Sequence, residues 1–161
     1  MAVLLRTIED LRKAVGTTLG PSEWITIDQS RIDAFAEVTG DHQWIHVDPG
    51  RAAGSDLHST IAHGYLTLSL TPMLMDQLTR LRQGATSLNY GLNRLRFVTP
   101  VPAGGRVRLR AQVLDVSDRP SQGVLATYQL TYELEGAERP ALVAEAISLL
   151  IARAEDERPG S

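Results

Sequence analysis

The chain reads as an α+β protein, one domain in which a helical first half packs against an antiparallel sheet supplied by the second half. Two observations carry this. Apolar residues recur with a period near 3.6 up to about residue 82, and with a period of 2 further on. A chain of 161 residues buries about two thirds of its unfolded surface, enough for one core and short of two. The domain spans residues 1–152, and residues 153–161, which carry no apolar pattern, read as a disordered tail.

Thr7-Ile-Glu-Asp10 has the form of a capping box with Asp in the fourth place. Leu11 and Val15 follow at i,i+4 before Gly16. Trp24, Ile25 and Ile27 suggest a brief extended segment. Asp28 or Ser30 can then cap a second helix with Ile32, Phe35 and Ala36 on one face, and Gly40 ends it. The principal helix runs from His63 to about Arg82 on Leu66, Leu70, Met73 or Leu74, and Leu78 with Leu81, with a kink or break at Pro72 and a stop at Gly84. From Leu88 the apolar set alternates and then changes register at Leu95 and Phe97, which predicts a bulge near Asn93. Pro100, Pro102, Gly104 and Gly105 make a turn. Two strands with one wet face follow, on Val107 to Val113 and Val124 to Leu134. The apolar run Ala141 to Ala152 reads as a buried strand.

Composition excludes several functions. The net charge is -3 with no basic cluster, which argues against nucleic acid. Without cysteine there is no disulfide, thiolate nucleophile or Cys-type zinc site. The N-terminal apolar run is too short for a signal peptide, and the twelve-residue stretch Gly64 to Met75 is too short to span a membrane. A cytoplasmic protein that neither spans nor binds a membrane is expected.

The chemistry is concentrated in TGDHQWIHVD, residues 39 to 48. Asp41 and His46 are five residues apart. They would lie about 140° apart around a helix and on opposite faces of a strand, so they meet only if the chain bends. Gly40 permits such a bend. Three readings compete. The segment is a structural turn in which Asp41 caps backbone N–H groups and His46 is half-buried. It is a metal site built from Asp41, His42, His46 and Asp48 with His58 or His63, although the spacing matches neither a zinc-protease helix nor a calcium loop. Or Asp41 and His46 hold one water between them as an acid/base pair, which is the chemistry of hydration and dehydration. Such a reaction on a conjugated thioester builds charge on the carbonyl oxygen and needs a fixed donor. The backbone N–H of Gly64, at the start of the principal helix, fits that need. Close packing of Gly64 against the sheet explains the glycine equally well.

Phe35-Ala-x-x-Thr-Gly-Asp41-x-x-x-Ile-His46, then Ile-Ala-His-Gly64 with its apolar helix, then Phe97-x-x-Pro-Val101 resemble the MaoC-type (R)-specific enoyl-CoA hydratases. Gln43-Trp44, in place of the Asn-Pro of many members, resembles the NodN-like subgroup. The resemblance implies a hot-dog fold, an antiparallel sheet wrapped around a long central helix. It also implies reversible hydration of trans-2-enoyl-CoA to (R)-3-hydroxyacyl-CoA by Asp41 and His46, with Gly64 N–H as oxyanion donor. Trp44, bulkier than Pro, would shape the acyl pocket. Asn93 would either aim its amide into the substrate tunnel or simply occupy the bulge. A hydroxyl that holds the water in some members falls near Pro72, beside Ser69 and Thr71. No metal or separate cofactor is implied, because coenzyme A enters as part of the acyl-CoA substrate. Arg51, Arg94 and Arg96 are either its phosphate contacts or solvated arginines. A homodimer is implied too. The same fold also serves acyl-CoA thioesterases, and a non-catalytic acyl-CoA-binding module is the further alternative.

Overall fold

The computed structural model describes residues 5–81 and 85–152. The tail assigned to 153–161 and the stop assigned to Gly84 lie outside them. Helix α1, Ile8–Lys13, starts as its sequence predicts: Thr7 accepts from the Asp10 N–H while the Asp10 carboxylate accepts from the Thr7 N–H. Hydrogen bonds from the Arg6 N–H, the Thr7 side chain and the Thr7 N–H hold that carboxyl below the usual aspartate range. Leu11 is buried but Val15 is exposed, because the helix stops at Lys13 and the Gly16 N–H already bonds Val113 O at 2.8 Å.

Two short strands follow, β1 (Thr18–Leu19) and β2 (Ile25–Ile27). Both pair antiparallel with β4 (Gly105–Arg119), at Gln112 and Ala111 for β1 and at Val107 to Gly105 for β2. No periodicity announces the two-residue β1. Helix α2, Gln29–Thr39, is capped by the Asp28 side chain and ends at Gly40, whose φ of 75° is left-handed. Two single-turn helices come next, α3 (Trp44–Val47) and α4 (Pro49–Ala53).

The principal helix is two segments, α5 (Gly64–Ser69) and α6 (Thr71–Leu78), broken at Leu70 with Pro72 in the first turn of α6. It stops at Leu78 rather than near Arg82, since Thr79 is already extended. Proline at 72 removes the N–H that would bond Leu68 O in a continuous helix. The Thr71 hydroxyl donates to that carbonyl instead, at 2.6 Å. Its single proton is thereby used, so the contact of 2.6 Å with Tyr132 is donated by the tyrosine. Burial, opposed in part by this bond, keeps the Tyr132 phenol well above the usual tyrosine range. Thr71→Val strands both the Leu68 carbonyl and the fully buried Tyr132 hydroxyl. It is expected to cost about 2–4 kcal/mol, read as a lower urea midpoint at unchanged slope.

The remaining strands are β3 (Ala85–Phe97), β5 (Gly123–Leu134) and β6 (Leu142–Ala152). The sheet order is β1-β4-β5-β6-β3, with β2 beside β1 along the edge of β4. Alternate residues of β5 are buried along its length. Val107, Leu109, Ala111 and Val113 of β4 and Leu130 and Tyr132 of β5 meet Leu66, Leu70, Leu74 and Leu78 of the broken helix in one core. This is the expected helix wrapped by antiparallel strands. The register of β3 on β6 shifts twice, between Asn89 and Gly91 and between Leu92 and Arg94, so the predicted bulge has a second one beside it. Among the described residues, no helix is long and apolar enough to cross a membrane.

Candidate active site

Gly40 turns the chain out of α2, and the polar segment after it folds back onto the start of α5. Asp41 stays exposed. Its carboxylate accepts weakly from the Gln43 N–H at 3.4 Å, the local turn expected of an aspartate here. His46, on α3, is 6% exposed. Its Nδ1 lies 2.6 Å from Ile61 O. A carbonyl only accepts, so Nδ1 carries a proton, and in the neutral imidazole the lone pair is then on Nε2. Asp41 thus forms the local turn, and a ligand-capable atom of its carboxylate also lies within 4.8 Å of one on the His46 ring.

A third side chain completes the cluster. His63, 3% exposed and at the N-cap of α5, donates from Nε2 to Asp41 O at 3.0 Å. Its ring stacks on His46, with centroids 3.8 Å apart and planes 24° from parallel, and Phe35 packs obliquely against the same His63 ring, with centroids 5.0 Å apart. Its Nδ1 is buried without a hydrogen-bond partner among the described residues. Ligand-capable atoms of Asp41, His46 and His63 all lie within 4.8 Å of one another. One water can bridge such a span. The same three residues form a grouping of potential metal ligands, but the stacking works against a shared ion. Imidazole lone pairs lie in the ring plane, and planes only 24° apart do not converge within the roughly 2.0–2.1 Å of an imidazole–metal bond. The other residues of the metal reading are elsewhere. His42 faces Glu37 at 3.7 Å, and Asp48 caps α4 by accepting from the Arg51 N–H.

His46, Gly64, Thr67 and Phe97 help line a cavity of about 170 Å³. Gly64 is the first residue of α5, where the backbone N–H has no intrahelical acceptor. It is also tightly packed. A Cβ at this position would sit 2.8–2.9 Å from three ring atoms of Phe97. Close packing against Phe97 therefore demands a glycine here, and Gly64 and His46 line the same cavity. Trp44 is half-buried with the Arg51 guanidinium over its ring at 4.2 Å. Asn93 is not brought to the cluster. Its Nδ2 donates to Glu145 at 2.6 Å on the exposed sheet, so the bulge reading describes it. Ser69 and Thr71 direct their hydroxyls to the carbonyls of Tyr65 and Leu68. Two other hydroxyl residues line the cavity, Thr99 and Thr67, and Thr67 is the one on the helix, buried one turn into α5. Reading the sequence missed it, although its i+3 spacing from Gly64 was available as a signal.

Residues 10–133 match the MaoC like domain family. The chain is 46% identical over 151 residues to 3-hydroxyacyl-thioester dehydratase Z of Mycobacterium tuberculosis, covering 92% of this chain and 100% of that protein. It is 45% identical over 146 residues to Nodulation protein N of Rhizobium leguminosarum bv. viciae, covering 89% and 91% respectively. Among solved structures, the (R)-hydratase from A. caviae involved in PHA biosynthesis superposes with a TM-score of 0.68 at 27% identity, over 84% of this chain and 95% of that one. With this domain match and relatives that it spans nearly end to end, the chain belongs to the MaoC-like dehydratase family.

Proposed function

We propose that the protein reversibly hydrates a trans-2-enoyl-CoA to the (R)-3-hydroxyacyl-CoA. The observation that carries this is the convergence of the Asp41 carboxylate with the imidazole of His46, whose Nδ1 is held by Ile61 O, beside a cavity that the first residue of α5 also lines. In the hydration direction His46 Nε2 removes a proton from water as the oxygen bonds C3, while Asp41 orients that water. The C2=C3 electron pair moves toward the thioester, and Gly64 N–H supports the enolate-like oxygen. The pair then returns a proton to C2, so the net addition is one water. The names of the thioester dehydratase and the (R)-hydratase support the reaction class and the hand of the product. A second cavity of about 410 Å³, lined by Leu68, Pro72, Met75, Leu130 and Ile147 among others, offers apolar room for an acyl chain. Crotonyl-CoA and octenoyl-CoA, assayed by loss of enoyl-thioester absorbance with chiral analysis of the product, test the reading. Release of free thiol in place of hydration would make the protein a thioesterase, and saturable binding without turnover would make it a binding module.

The working unit in this reading is a homodimer. The outer edge of β3 has no strand partner among the described residues. The strand exposes Leu88, Tyr90, Leu92 and Phe97 at 43–47%. A long apolar edge of this kind is protected when a second copy pairs with it. Leu92→Lys is expected to shift the sedimentation coefficient from dimer toward monomer, and an unchanged value would remove β3 from the interface.

A further inference from the structure

We infer that Gln29 and Thr60 form a clamp that positions His46, an inference that rests on His46 being the base proposed above. Helix α3 is a single turn. Such a helix is not stable alone, and its last carbonyls have no intrahelical donors. Gln29, the first residue of α2, supplies one: its Nε2 donates to His46 O at 2.7 Å and to Asp33 Oδ1 at 2.8 Å. Its Oε1 accepts from the hydroxyl of Thr60, which is 2% exposed. Thr60 precedes Ile61, whose carbonyl holds the His46 ring and whose N–H donates to Ile45 O at 2.9 Å. The Thr60–Ala62 segment is itself tied to the turn after β3, through Ala62 N–H to Val101 O and Ala103 N–H to Thr60 O, both 2.8 Å. One amide thus joins the two anchors of His46, its main chain and the carbonyl that sets its tautomer.

The chemistry requires glutamine. Both N–H groups and the oxygen of the amide are used, on three different segments, and flipping the amide would put its oxygen against two acceptors. Glutamate would do the same with a charge. Neither Gln29 nor Thr60 contacts the reacting atoms in the mechanism above, so both are positioning residues.

The test combines kinetics with a tautomer measurement on His46. In folded Gln29→Met and Thr60→Val, kcat for enoyl-CoA hydration should fall about 10- to 100-fold, since small misplacements of a reacting group cost that much. KM should move by less than about threefold, as binding contacts are untouched. Long-range proton–nitrogen NMR should show His46 as the Nδ1–H form in the wild type and as a mixture in these two variants. Thr60→Ser, which keeps the hydroxyl, should match the wild type in both readouts. A pure Nδ1–H tautomer in Gln29→Met, or wild-type kcat in Thr60→Val, overturns the clamp. Should the wild type hydrate no enoyl thioester, the proposed reaction fails while the NMR comparison still decides the clamp.

Discussion

Asp41→Asn is expected to lower kcat for enoyl-CoA hydration about 10²- to 10⁴-fold, the range that a positioned acid or base contributes. Stability should stay within about 0.5 kcal/mol, because the side chain is exposed and its one backbone contact is long. That split makes this variant the cleanest probe of the pair. His46→Ala should lose as much activity but also some stability, since it leaves the Ile61 carbonyl without its donor and unstacks His63. Measuring both variants by initial rates and by urea denaturation separates chemistry from folding. Full activity in Asp41→Asn would rule out the proposed mechanism.

Gly64→Ala should cost about 1–3 kcal/mol of stability, because the new methyl meets the Phe97 ring at 2.8–2.9 Å and one of them must move. The displacement falls on the first turn of α5, so kcat should drop about 100-fold. Phe97 is 45% exposed, which leaves its ring room to be trimmed. In a double-mutant cycle, Phe97→Leu should return part of the activity that Gly64→Ala removes. Strict additivity of the two losses would show that the alanine acts through something other than this contact.

Most of the fold was legible because its signals are local. The Asp28 cap, the left-handed stop at Gly40, the alternation along β5 and the register change near Asn93 are each written within a few residues of where they act. Asp41 and His46 were legible for the same reason, since one glycine explains how an unhelpful spacing becomes a convergent one. His63 was visible as the start of the principal helix, within Ile-Ala-His-Gly64, and as a possible metal ligand, but not as a neighbour of the pair. Its position, stacked on His46 and bonded to the Asp41 carbonyl, comes from α5 packing against a turn more than twenty residues earlier.

Local chemistry thus settles which segments become helix or strand, where they stop, and which two side chains a left-handed glycine turns toward each other. The tertiary structure decided what those side chains lean on. Asn93 spends its amide on Glu145 across the sheet, Thr71 takes the hydroxyl of Tyr132 at a separation of 61 residues, and Gln29 reaches His46 and Thr60 at separations of 17 and 31 residues. Each is a hydrogen bond whose partner is chosen by distance in space. Periodicity and capping rules act over one or two turns, so they carry no information about it.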